Sequence, residues 1–224
     1  MHSWKKIYHR FHNLGYHSFS STDGEYKGNG DEEMREIDYS QYFWQDELIR
    51  LRALREEDWE AHYYNRFDTS ARRLLECAVE LPPTSAEAKH FTENFSNFSS
   101  THGRIMFSIE DWHGEYLGGA NINSIDERNG TFSIGIQVDR DHRGKGVGTR
   151  AVRILLKYAF FERRLNKFND SVLEGNEPSA AMMRKLGCVQ EGVRRKVIYT
   201  NGKYHDMILF GLTKEEFMEK EGLA

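Results

Sequence analysis

The chain has 224 residues, a formal net charge of −4, 38% hydrophobic and 13% aromatic residues, and two cysteines. This is enough for one domain of ordinary size with a real core, and the acidic balance argues against a nucleic-acid binder. No run of about 18 apolar residues is present to span a membrane, the N-terminus lacks the apolar centre of a signal peptide, and Cys77 and Cys188 are too few and too far apart for a disulfide framework, so a reduced, cytoplasmic setting is expected.

Residues 1–45 read as an N-terminal extension, partly flexible, and residues 46–224 as the domain. The extension opens with the aromatic and basic run WKKIYHRFHNLGYHSF and continues into the polar, Gly-rich SSTDGEYKGNGDEE. The spacing of His2, His9, His12 and His17 fits no zinc pattern and no cysteine is near, so no metal is expected. Trp4, Tyr8, Phe11 and Phe19 are expected to pack on the domain or on a partner subunit, which leaves a homodimer open.

A short strand is predicted at 48–52, then a helix at 55–68 with Trp59, His62, Tyr63 and Phe67 on a shared face. Asp68 caps a second helix running to Val79, and Pro82 and Pro83 stop it. Thr84 and Glu87 suggest a capping box that opens a third helix to about Phe98. The acids Glu56, Glu57, Glu60, Glu76, Glu80 and Glu87 read mainly as solvated helix residues. Strands follow at 104–110, 115–125 and 131–138, with hairpin turns at His113-Gly114 and Asn129-Gly130. Further strands are predicted at 168–174, 190–200 and 203–212, the last two joined at Asn201-Gly202, with a short helix at 179–185 and a polar helix at the C-terminus. The order implies an α/β chain of the α+β kind, with a mixed, mostly antiparallel sheet.

The most informative stretch is 131–158, TFSIGIQVDRDHRGKGVGTRAVRILLKY. A strand ending in Ile136-Gln137-Val138 runs into a loop with Gly144, Gly146 and Gly148 at alternate positions. From Val147 the apolar residues Val147, Ala151, Ile154, Leu155, Tyr158 and Ala159 fall three and four apart, so a helix begins there. Strand, glycine loop and helix N-terminus together present backbone N–H groups to an anion. Arg140, Arg143, Lys145, Arg150 and Arg153 against the single acid Asp141 make the stretch locally basic, so a phosphate ester is the expected ligand. Neither a P-loop nor a GxGxxG dinucleotide loop is present.

The run Arg143-Gly144-Lys145-Gly146-Val147-Gly148 resembles the pyrophosphate-binding loop of the GNAT acetyltransferases, which grip acetyl-coenzyme A. The segment NEPSAAMMRKLGC, residues 176–188, resembles that family's second signature. Residues 48–59, Glu191-Gly192 and residues 201–206 resemble the branch that acetylates ribosomal-protein N-termini and spermidine. The resemblance covers about 48–212. It implies a central sheet whose middle strands splay apart around the pantetheine arm, and acetyl-CoA as co-substrate with no metal. It implies coenzyme contacts from Ile136, Gln137, Val138, Arg143, Gly144, Lys145, Gly146, Val147, Gly148, Thr149, Asn176, Ser179, Met183 and Lys185. Asn176 and Ser179 could equally cap the helix they adjoin, and the early helices would form one wall of the acceptor site.

The chemistry needs a neutral amine, a polarised carbonyl and a proton for the leaving thiolate. Many family members carry a Glu where Ser133 stands and a Tyr where Met183 stands. A methionine cannot donate a proton. Ser133 and Tyr199 are therefore the candidate catalytic residues, with Tyr204, His205 and Glu110 as further substitutes for the missing acid. Cys188 reads as a small buried residue. The expected activity is transfer of acetyl from acetyl-CoA to a primary amine of a protein N-terminus, a polyamine or another small molecule. A non-catalytic acyl-CoA-binding module and an interaction protein on the same scaffold are the alternatives.

Overall fold

The computed structural model describes residues 37–98 and 103–223. The histidines and aromatic residues of the opening segment, His2, His9, His12, His17, Trp4, Tyr8, Phe11 and Phe19, lie outside the described residues. The chain divides into two units, Met1–Tyr39 and Ser40–Ala224. The second begins slightly before the expected boundary, because Trp44 packs into it with ring centroids 4.9 Å from Phe107 and 4.6 Å from Tyr158.

In that unit β1 (Arg50–Arg52) leads through a 3-10 turn into α1 (Trp59–Asn65), α2 (Thr69–Glu76) and α3 (Ser85–Phe95). Next come β2 (Ile105–Glu110), β3 (Tyr116–Asp126) and β4 (Thr131–Val138), then α4 (Val147–Lys157), which continues as a π-helical turn over Tyr158–Glu162. The chain closes with β5 (Lys167–Leu173), α5 (Glu177–Leu186), β6 (Val189–Thr200), β7 (Lys203–Thr213) and α6 (Lys214–Glu221).

Local chemistry sets the helix ends. Asp68 caps α2 by accepting from the Ala71 N–H at 3.2 Å, but α2 stops short of Val79 because Cys77 turns left-handed at φ 59. Thr84 caps α3 by accepting from Glu87 N–H at 3.2 Å. Glu87 does not complete the expected box, for its carboxylate pairs with Arg66 at 2.8 Å. The short helix predicted from Ser179 starts earlier. Asn176 is its N-cap and Pro178 sits in its first turn, where a missing N–H costs nothing.

The seven strands form one sheet in the order β1-β2-β3-β4-β5-β7-β6. Every pair is antiparallel except β4 with β5. That parallel pair registers only Thr131 with Lys167 and Phe132 with Phe168. Beyond it β4 stays on β3 as far as Val138, while β5 stays on β7 as far as Leu173. The sheet therefore forks between β4 and β5.

Aromatic packing holds the vertex of this fork. Phe132 and Phe168 lie 5.7 Å apart by ring centroid, Phe132 and Phe160 5.4 Å, and Phe160 and Phe217 5.4 Å, all essentially buried. Burying each such ring contributes roughly 2–3 kcal/mol. Phe132 and Phe168, with Ile134, Val172 and Phe210, share the sheet face covered by α4, α5 and α6, and Phe160 and Phe217 meet them from the helices. Alternation sends Ser108, Gly119, Gln137 and Ser133 to the opposite face, where Ser108 meets the turn before α1.

Candidate active site

The glycine loop ends at Gly146, which is the N-cap of α4 with φ 85. A Cβ there would be strained, and it would stand in open space beside the loop. That space is a cavity of about 350 Å³ lined by Gly144, Lys145, Gly146, Thr149, Arg150, Arg153 and Lys185. Arg150 pairs with Asp46 at 2.9 Å and Glu47 at 2.6 Å, and Arg153 with Glu221 at 2.9 Å. The ammonium groups of Lys145 and Lys185 have no partner among the described residues, so these two cations, with the α4 N-terminus, are left to meet an anion.

Arg143 departs from expectation. Its guanidinium donates to the Val138 carbonyl at 2.8 Å and to Asp68 at 2.8 Å, so it braces the loop against α2 and does not line the cavity. Asp68 also receives Arg140, and thus joins the start of α2 to the glycine loop. Burial opposes the charge on Asp68, but the bonds from Arg140, Arg143 and the Ala71 N–H outweigh it and hold the carboxyl at about 2. A folded value below the unfolded one, about 3.9, contributes stability that is present above pH 4 and lost as the pH falls toward 2. Acid unfolding of Asp68→Asn is therefore expected to show a shallower loss of stability between pH 4 and 2 than the parent. Identical slopes by circular dichroism would contradict this.

Val147 is buried against the core and anchors α4, while Gly148 lies half-buried beside Val138 and Met182. Asn176 accepts from the Ser179 N–H at 3.3 Å, the capping arrangement. Met183 lies fully inside the core, its sulfur 3.9 Å from Cys188 Sγ. A tyrosine at 183 would not stand free as a proton donor. Met183→Tyr is expected to overpack the core by about 1–3 kcal/mol and to lower the melting temperature by several degrees. A melting temperature equal to the parent's in thermal denaturation would show that the pocket has room.

The proposed acid and base residues fare differently. Ser133 donates its hydroxyl to the Asn169 carbonyl at 2.6 Å, clasping β4 to β5 just past their last registered pair. Tyr199 and Tyr204 are exposed and meet edge to face at 5.1 Å near the β6–β7 turn. Glu110 is buried in ion pairs with Arg50 at 2.8 Å and Arg52 at 2.7 Å. His205 lies half-buried on β7, 3.8 Å from Glu174.

Sequence reasoning missed a polar cluster on the α1 face of β3 and β4. Gln137, named above as a coenzyme contact, sends its side chain to this face and accepts from Arg72 at 2.9 Å. Arg72 is itself held by Glu76 at 3.0 Å and Glu80 at 2.6 Å. Gly119 pairs with Gln137, and a Cβ on it would sit 3.3 Å from the Tyr116 hydroxyl and 3.7 Å from His62 Cε1. His62 Nε2 and Gln137 Nε2 are buried with no hydrogen-bond partner among the described residues. Burial pulls His62 down to about 4, so its imidazole is neutral at pH 7. Burial also raises Tyr116 and Asp139, the latter accepting from Asn65 at 2.6 Å. Helical periodicity alone placed His62 on a shared face of α1, with nothing to say that the face would be buried.

Among the described residues no group of three or more His, Cys, Asp or Glu gathers as a metal site, and no helix is long and apolar enough to cross a membrane.

A sheet that forks at a parallel pair, with a glycine loop and helix N-terminus at the open end, is the architecture of an acetyltransferase fold. The chain belongs to the GNAT acetyltransferase family, whose acetyltransferase (GNAT) domain matches residues 49–189, and its relatives include proteins named ribosomal-protein-serine acetyltransferase and spermidine N(1)-acetyltransferase. It is 29% identical over 180 residues to the SPbeta prophage-derived uncharacterized N-acetyltransferase YokL of Bacillus subtilis, covering 80% of this chain and 98% of that one. It is 23% identical over 170 residues to the spermidine N(1)-acetyltransferase of Escherichia coli, covering 76% and 88%. The fold matches the crystal structure of spermidine N-acetyltransferase from Vibrio cholerae in complex with CoA and spermine, with a TM-score of 0.66, 20% identity, and 76% and 98% of the two chains covered.

Proposed function

We propose that the chain transfers the acetyl group of acetyl-CoA to a primary amine, with the α-amino group of a peptide as the preferred acceptor. The fork supports the first part. Ile136 and Val138 alternate with residues whose N–H groups face β3, so their own N–H groups face the gap. An extended donor arm can bond there as a missing strand would, and a backbone N–H can polarise the thioester carbonyl. Lys145, Lys185, Thr149 and the α4 N-terminus hold the pyrophosphate.

The acceptor approaches from the α1 and α2 face, beside Gln137, His62 and Tyr116. Arg73 of α2 donates to Thr200 at 2.8 Å, tying this wall to the β6–β7 hairpin. The choice of acceptor rests on one observation: Asp68, Glu76, Glu80 and Glu87, the acids around α2, are already paired. Glu76 and Glu80 hold Arg72, Glu80 and Glu87 hold Arg66, and Asp68 holds Arg140 and Arg143. A polycation needs unpaired carboxylates. A peptide end asks instead for apolar contact, and Tyr64, Phe67, Val79 and Leu81 are exposed here. Thiol release from acetyl-CoA is expected to be at least about tenfold faster with a peptide bearing a free α-amino group than with spermidine, about 1.4 kcal/mol of discrimination. A preference for spermidine would reverse the acceptor assignment, and release with neither would count against transfer itself.

A further inference from the structure

β5 carries a carboxylic acid at the vertex of the fork. Asp170 lies just past Phe168, the last β5 residue registered with β4, and stands opposite Phe210 of β7. Alternation along β5 puts it on the face of Phe168 and Val172, under the helices. Its Oδ1 accepts from the Ser171 N–H at 2.7 Å. The carboxyl also accepts from the backbone N–H of Ile134, the first N–H of β4 that faces the gap. No arginine or lysine pairs with Asp170 among the described residues.

We infer that Asp170 is a catalytic residue of the acetyl transfer, the acid that protonates the departing thiolate. This rests on the acetyl-transfer reading above. The anion cavity lies at the Val138 end of the gap and Asp170 at the Ile134 end. Along a strand the intervening residues span roughly 13 Å. A donor held at its phosphates by the loop and extended along β4 meets Val138, then Ile136, and brings its reactive end toward Asp170. The other donors considered are placed differently: Tyr199 and Tyr204 are exposed on the hairpin, Glu110 is locked to two arginines, Ser133 gives its hydroxyl to the Asn169 carbonyl, His205 lies beside Glu174 on β7, and Met183 has no proton to give.

The step balances within the site. The amine nitrogen bonds to the carbonyl carbon, the carbon–sulfur bond breaks, and the thiolate takes the carboxyl proton. The Asp170 carboxylate then takes up the proton shed by the amine nitrogen. Burial pushes the Asp170 acid up to about 7, so both forms are populated where the enzyme must work. Its titratable neighbour is Cys188, whose thiol is pushed up to about 12 by burial and then by the Asp170 charge. Glu216 of α6 acts on the same thiol. On α4, Arg150 and Arg153 are tied to Asp46, Glu47 and Glu221.

Asp170→Asn keeps the shape and an acceptor oxygen for the Ile134 and Ser171 N–H groups, and removes the proton. At saturating acetyl-CoA and peptide amine, kcat is expected to fall by at least about tenfold, with the KM for acetyl-CoA little changed. The alkaline fall of the parent's kcat, near pH 7, is expected to vanish in the variant. An unaltered pH profile with only a lower melting temperature would overturn the inference and leave Asp170 a structural latch. Should Asp170→Asn fail to fold, the parent decides alone: a kcat that rises steadily through pH 7 to 8 also overturns it. The acetyl-transfer reading fails separately, by a parent that neither binds acetyl-CoA in calorimetry nor acetylates any amine.

Discussion

Gly146→Val is expected to weaken acetyl-CoA binding by at least about a hundredfold, nearly 3 kcal/mol. Two effects combine. Position 146 has φ 85, a conformation that costs any residue with a Cβ about 1–2 kcal/mol and a β-branched one more. The added side chain also occupies the cavity between Lys145, Thr149 and Lys185 in which the phosphates must approach the α4 N-terminus. The fold should survive, because the loop is exposed and no atom lies within 4 Å of the new Cβ. Calorimetry on a variant whose circular dichroism matches the parent checks this, and normal affinity would move the pyrophosphate elsewhere.

The largest stability effect is expected at Glu110, far along the sheet from the fork. Glu110 is 2% exposed and joins Arg50 to Arg52, which in turn donates to Asp58 at 2.7 Å. Ser108 donates to the same Asp58 carboxylate at 2.6 Å. Burial opposes the charge on Asp58, and the bonds from Arg52, the Arg55 N–H and Ser108 overcome it and lower its pKa. Glu110→Ala removes the buried carboxylate that Arg50 and Arg52 share, leaving Arg52 with Asp58, which costs about 3–5 kcal/mol. In a domain of this size that lowers the melting temperature by roughly 10 °C or more. Glu110→Gln, which retains the shape and one acceptor, should lose less. A melting temperature within a degree or two of the parent's for Glu110→Ala would show that water relieves the arginines.

Much of this framework was legible because it depends on short-range chemistry. The strand, glycine loop and helix between Thr131 and Tyr158 announce themselves by period and by Gly146. The turns at Asn129-Gly130 and Asn201-Gly202 join antiparallel neighbours as their residues demand. What escaped reading depends on which distant residues meet. Arg143 looks like a phosphate ligand until Asp68 arrives from another helix. Ser133 looks like a displaced catalytic group until the Asn169 carbonyl takes its hydroxyl. Asp170, in the run Phe168-Asn169-Asp170-Ser171, carries no local mark that its face is the buried one, and its proximity to Ile134 exists only because β4 and β5 meet at the vertex. Met183 was misplaced for the same reason, as one face of α5 is chosen by the core and not by the helix.

The most direct test of acetyl transfer from the fork is the mass of an acceptor. A peptide with a free α-amino group is incubated with acetyl-CoA and the protein, and its intact mass is followed alongside thiol release. The expected result is a gain of one acetyl group on the α-amino nitrogen, with one thiol released per peptide modified and both signals suppressed in Gly146→Val. A peptide that stays unmodified while the protein demonstrably binds acetyl-CoA would contradict the account, and so would undiminished acetylation by the Gly146 variant.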